Sequence, residues 1–358
     1  MGGGKKQHQN DAVKKERYNS LDVLRTLACI GIVLMHIRSN IAVKPTGSFL
    51  TENIIAFTGN FVLLFMMISV FSMCCGYYQR FREGTITPHQ FYSKRYVRVW
   101  PFFALLVLID IIMTFLGERS LTENMIQELA DGFADLTLVF GLLPNADIKV
   151  IGVGWFLGLI FVFYMLFPFF VYLLDTKRRA WMILLISIVL FFLSDKYLGG
   201  INSKNIIFCA PYFISGGIVY LYRRSIVKVM QNRLAYYGYI AIVSLYTILF
   251  FSFVDLRFPL VSNLLLYILW LILAIGTDNH NSFFQKVVSF FSGISMEIYL
   301  CHMVIFRAIE KLHLENKISN NDLNYWLTCL LVLSGAVCFA SVWKRYEKKI
   351  TTVVFSRR

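Results

Sequence analysis

Asp22, Arg25 and His36 place ionisable groups on an otherwise apolar stretch, DVLRTLACIGIVLMHIRSN. Asp22 and Arg25 are three residues apart, so on a helix they share a face and can pair. Arg25 and His36 are eleven apart, which is three turns plus about 20°, so they also share a face, about 16 Å apart along the axis. Ionisable residues inside an apolar helix are costly and usually face a cavity or a partner. A neutral imidazole, with its reference pKa near 6.5, can take a proton from a hydroxyl as a new bond forms. The plainer alternative is anchoring, with Asp22 and Arg25 at one membrane boundary and His36 at the other.

Three further clusters have the types and spacing for chemistry. Arg95 and Arg98, in TPHQFYSKRYVRVWPFF, lie on one face near the start of an apolar helix. Two guanidiniums beside a helix N-terminus suit a phosphate group, although basic and aromatic anchoring at a membrane surface reads equally well. Ser295, Tyr299 and His302 stand at i, i+4 and i+7 in FFSGISMEIYLCHMVIF, with Glu297 on a different face of the same segment. Trp155, Tyr164 and Pro168 follow one another along GWFLGLIFVFYMLFPFF. The seven cysteines all fall inside apolar runs and form no Cys-x-x-Cys pair, so they read as core residues and no metal is expected.

The elements that must position these residues are membrane helices. Of the 358 residues, 57% are hydrophobic and only 16% charged, against about a quarter charged in soluble domains. Apolar runs of about 20 residues, enough to cross a bilayer, recur throughout. The expected fold is an all-α polytopic membrane protein with ten spans, at about 21–39, 54–78, 96–116, 152–174, 180–195, 205–222, 235–254, 259–276, 286–308 and 323–343. A shorter segment, about 133–143, is expected to re-enter or lie at the interface. Residues 1–19 and 346–358 read as tails around one membrane domain, 20–345, with no signal peptide.

The loops set the orientation. With a cytoplasmic N-terminus, the inner segments carry about 24 Lys and Arg and the outer ones about ten, which favours both termini inside. The formal charge of +14 then needs no nucleic acid, because basic loops facing anionic lipid account for much of it.

Together these motifs resemble the integral-membrane acyltransferase 3 family, the bacterial sugar and polysaccharide O-acyltransferases. The family's first span reads roughly Leu-Asp-x-Leu-Arg, then eleven residues from that Arg to a His, as in LDVLR and His36 here. Arg95 to Arg98 is similar to its Arg-x-x-Arg loop, and Trp155-Phe-Leu, Gly216-Gly217 and Tyr299-Leu-x-His302 to its later strings. Two departures stand out. The segment between Trp155 and Tyr164 is apolar where many members carry a glutamate. The usual acid about ten residues after the first-span His is Thr46 here, the nearest acid being Glu52.

The resemblance implies transfer of an acyl group, usually from acetyl-CoA, to a hydroxyl of an extracytoplasmic or lipid-linked glycan at the bacterial cytoplasmic membrane. It implies His36 as the catalytic residue with Asp22 and Arg25, and Arg95, Arg98 and Arg25 at the donor. Trp155, Tyr164, Tyr299, His302 and Glu52 are then expected around the substrates. Two rival readings are a transporter or flippase, weakened by the absence of an inverted repeat, and a non-catalytic relative that lacks the missing acids. Oligomeric state is open.

Overall fold

The computed structural model describes residues 18–118, 123–144, 148, 150–253, 260–277, 283–313 and 317–356. Of the two expected tails, residues 1–17 and 357–358 lie outside them. The described residues form helices and connecting turns, with no strand. Thirteen α-helices occur among them, and those used below are α1 (Ser20–Asn40), α2 (Phe61–Met73), α3 (Gln79–Arg82), α4 (Pro88–Glu118), α5 (Glu123–Leu136), α6 (Trp155–Leu173), α7 (Lys177–Tyr197), α8 (Ile206–Met230), α9 (Arg233–Ser252), α10 (Val261–Gly276), α11 (Phe283–Gly293), α12 (Ser295–Glu310) and α13 (Asn321–Ser356).

Among the described residues, eight helical segments are long and apolar enough to cross a membrane. They match eight of the ten expected spans. The other two differ in form. The expected span 286–308 is α11 and α12, bent by 62° at a break after Gly293. Ile294 leaves the helical backbone there (φ −115°, ψ 8°), and α11 leans its Ser289 and Ser292 onto α1. The expected span 259–276 holds the 16-residue α10, about 24 Å long against a hydrocarbon core of about 30 Å.

The short segment near 133–143 is not one helix. The end of α5 passes through Leu138 at φ 58° into a 3₁₀ turn, Val139–Leu142, that packs on α6. Gly141 is needed at that contact, because a Cβ there would lie 2.3 Å from the Gly158 backbone.

Local chemistry starts several helices. Asn205 accepts from the Ile207 N–H at 2.7 Å at the head of α8, and Asn232 accepts from Leu234 and Ala235 at the head of α9. Such caps satisfy N–H groups that have no partner inside the helix. Gly216 brings α8 against α2, where a Cβ would stand 2.3 Å from the Met67 carbonyl oxygen. Burial then sorts the helices. α2 is almost wholly buried, whereas α7 and α9 expose large apolar side chains such as Trp181, Leu185, Phe192 and Leu245. A continuous exposed apolar surface of this kind belongs in lipid.

Candidate active site

One cavity of about 690 Å³ lies among α1, α2, α4, α6, α11 and α12, a size usual for ligand sites. It gathers Arg25 from the first motif with Arg95 and Arg98 from the second, and adds Arg80 of α3. Its far wall is aromatic. Phe65, Phe156 and Tyr299 line it, with Phe156 and Phe65 5.7 and 6.4 Å from the Tyr299 ring, centroid to centroid.

The four guanidiniums are not equivalent. Arg25 stands 3.5 Å from Asp22 and donates to the Ser72 hydroxyl. Asp22, only 5% exposed, accepts from the Ser289 and Ser292 hydroxyls at 2.7 Å each. This group ties α1 to α2 and α11, and gives a buried carboxylate the hydrogen-bond partners that buried polar groups need. Arg98 meets Glu297 at 2.9 Å and Glu347 at 2.6 Å, and Lys344 reaches the same two carboxylates at 2.9 and 2.7 Å. Two cations and two anions make that cluster neutral.

Arg95 and Arg80 are different. Neither has a carboxylate in ion-pair reach among the described residues. Both guanidiniums lie over the Tyr77 ring, at 4.8 and 5.8 Å, and Arg95 also donates to the Tyr77 hydroxyl at 2.5 Å. Tyr164, expected around the substrates, sits beside Arg95 at 5.8 Å. The uncompensated positive charge of the cavity therefore comes from Arg80 and Arg95, poised over aromatic faces.

Beyond the aromatic wall, α1 and α12 bring two histidines together. His36 Nδ1 is 2.9 Å from His302 Nε2, and His302 Nδ1 is 2.6 Å from the Tyr299 carbonyl oxygen. His302 is wholly buried. The Tyr299 hydroxyl donates to the Val153 carbonyl at 2.5 Å, which fixes α12 against the turn before α6. Neither histidine is a wall of the cavity; Tyr299 stands between.

The remaining expected residues lie apart. Asp22 is fourteen residues from His36 on the same helix, about 21 Å along its axis, so it positions α1 rather than touching the imidazole. Glu52 gives its carboxylate to Arg38 at 2.5 Å and is half exposed, with no contact to either histidine. Trp155 heads α6 with the Lys204 ammonium 6.0 Å from its ring. Sequence reasoning missed Ser72, Tyr77, Arg80, Ser289, Ser292, Lys344 and Glu347. Only the last pair left a signal, an i,i+3 Lys–Glu in WKRYEKK, and it fell at a place read as the start of a tail. α13 in fact continues through it to Ser356.

A family model described as an acyltransferase domain, that of the acyltransferase 3 family, matches residues 18–343. The chain belongs to that family. It is a multi-pass membrane protein, by this match and by its long apolar helices. It is also similar to "Protein 2 in picA locus" of Rhizobium radiobacter, 30% identical over 132 residues, which are 36% of this chain and 64% of that protein's length. No solved structure matches it.

Proposed function

We propose that this family member is a membrane O-acyltransferase that moves an acyl group, most simply acetyl, from cytoplasmic acyl-CoA to a hydroxyl of an extracytoplasmic or lipid-linked glycan. The observation that carries the reading is one continuous arrangement. A cavity with two uncompensated arginines at one end closes on Tyr299 at the other, and Tyr299 in turn holds the His302–His36 pair. A donor with several phosphates and a long flexible arm fits such a site. Its phosphates meet Arg95 and Arg80, charge-assisted bonds being the strong ones. Its arm points along the cavity toward Tyr299 and, past it, His36.

In this reading Arg98 shapes the cavity rather than holding phosphate, because Glu297 and Glu347 already claim its charge. His36 removes the proton of the acceptor hydroxyl as oxygen attacks the thioester carbon, and returns it to the departing thiolate when the carbon–sulfur bond breaks. An acyl-imidazole course would use the same ring nitrogen as nucleophile. Both termini face the cytoplasm, which puts the arginine end of the cavity where acyl-CoA is made.

The test is consumption of acetyl-CoA by purified protein with and without glycan isolated from the parent cell, and mass spectrometry of surface glycan from a strain lacking the gene. Glycan-dependent release of free thiol, with loss of acetyl from the deletion strain's glycan, is expected. Glycan movement across vesicles without thioester loss would replace this reading with transport.

A further inference from the structure

We infer that His302 is a positioning residue that holds His36 in the tautomer with its proton on Nδ1, leaving the His36 Nε2 lone pair as the reactive atom. The inference rests on the acyl-transfer reading for what the lone pair does, but the tautomer itself follows from the hydrogen bonds. A carbonyl oxygen only accepts, so the 2.6 Å contact to Tyr299 requires a proton on His302 Nδ1. A neutral imidazole carries one ring proton, so His302 Nε2 is an acceptor. The 2.9 Å contact between the two rings is then a bond that His36 Nδ1–H donates. The ring planes differ by 19° and the centroids are 5.1 Å apart, a spacing that sets the two rings edge to edge along that bond rather than face to face.

This chain of bonds fills a gap left by the acids. In histidine-dependent catalysis, a carboxylate commonly accepts from the far ring nitrogen and fixes the tautomer. Here Thr46 replaces one expected acid, the segment between Trp155 and Tyr164 has none, and Glu52 is held by Arg38. A neutral imidazole anchored to a backbone carbonyl takes that place. When His36 Nε2 receives the hydroxyl proton, the ring becomes a cation and its bond to His302 becomes charge-assisted, so it strengthens as the reaction proceeds. No second proton moves. His302 stays neutral throughout, and the proton on His36 Nε2 leaves with the coenzyme thiol.

The experiment combines a spectroscopic and a kinetic measurement on the full-length protein in lipid nanodiscs. Nitrogen-15 labelling of the histidines reports which ring nitrogen is protonated, with His36→Gln assigning the His36 signals. We expect the proton on His36 Nδ1 and on His302 Nδ1. His302→Leu should lower kcat by about ten- to a hundredfold with KM for acetyl-CoA unchanged, since His302 does not line the cavity. His302→Gln keeps an acceptor near the Nε2 position and should recover most of the rate. A parent protein with the His36 proton on Nε2 overturns the inference even if no His302 variant folds. So does a folded His302→Leu at parental kcat. Loss of the acyl-transfer reading looks different: the parent itself would release no thiol from acetyl-CoA, while the nitrogen spectrum still reported the Nδ1 tautomer.

Discussion

Glu297 of α12 and Arg98 of α4 meet at 2.9 Å, with the carboxylate wholly removed from solvent. Removing one member of such a pair leaves an uncompensated buried charge, at a cost of about 3–5 kcal/mol. Arg98→Ala should therefore lower thermal stability and yield sharply, while the protein that survives binds acetyl-CoA nearly as the parent does. The double variant Arg98→Met/Glu297→Met leaves Lys344 and Glu347 as a neutral pair, and should be more stable than Arg98→Ala. An Arg98→Ala protein with parental melting temperature and no donor affinity would return Arg98 to the phosphate.

Arg95 and Arg80 should behave in the opposite way. Each has an aromatic neighbour and no carboxylate among the described residues, so its loss strands no buried acid. Losing one charged hydrogen bond costs about 1.5–3 kcal/mol, which is about tenfold or more in affinity. Calorimetry with acetyl-CoA should show that weakening in Arg95→Ala and Arg80→Ala, at near-parental melting temperature. Parental affinity in the folded double variant would remove phosphate binding from this pair.

The contrast between these arginines marks where sequence reading stops. Spacing alone puts Asp22, Arg25 and His36 on one face, because helix periodicity is a local property. It likewise separates Glu297 from His302: five residues turn a helix by about 140°, and α12 does serve two clusters, one toward Arg98 and one toward His36. Which helix stands opposite each face is a tertiary fact. Glu347 lies fifty residues beyond Glu297, and no local pattern brings it to Arg98. Arg80 sits in a four-residue helix with no motif. The bend after Gly293 is invisible to hydropathy, which averages over both sides of the break.

Asp135 gives a pH dependence outside the spans. It is 6% exposed, and burial pushes its carboxyl up to about 6, reinforced by Asp131 and partly offset by the Val150 N–H. The ordinary value is 3.8. Between these two values the folded chain keeps a proton that the unfolded chain has released, so stability falls as pH rises through about 4 to 6. About two pH units correspond to at most about 3 kcal/mol. Asp135→Asn cannot ionise, and should melt higher than the parent at pH 8, the difference closing only as pH falls below the ordinary value of 3.8. A parent whose melting temperature does not drop over that range, together with a destabilised Asn variant at pH 8, would contradict the assignment.

Orientation is open to chemical labelling. With exposed Cys338 first replaced by Ser, single cysteines at Lys196 or Lys317 should react with an impermeant thiol reagent in intact cells. A cysteine at Lys228 should react only after lysis. Labelling of Lys228→Cys in intact cells would invert the topology and move the arginine end of the cavity away from cytoplasmic acyl-CoA.

His36 carries the heaviest chemical claim. It lies past the aromatic wall and does not line the cavity, so donor binding and acyl transfer should separate when it is replaced. His36→Gln retains a side-chain amide that can donate to His302 Nε2, whereas His36→Ala leaves that buried acceptor without its partner, a penalty of about 1–3 kcal/mol. Both should insert in the membrane, Gln with the better yield, and both should bind acetyl-CoA with parental affinity. Transfer should fall by about 10²–10⁴-fold, the usual worth of a general base. If His36 were an anchor at the membrane boundary, the order would reverse: poor insertion, and substantial turnover in whatever folds. Transfer by His36→Gln at near the parental rate would end its role as base or nucleophile, and would leave the family membership, the arginine cavity and the paired tautomers to be explained by some other chemistry.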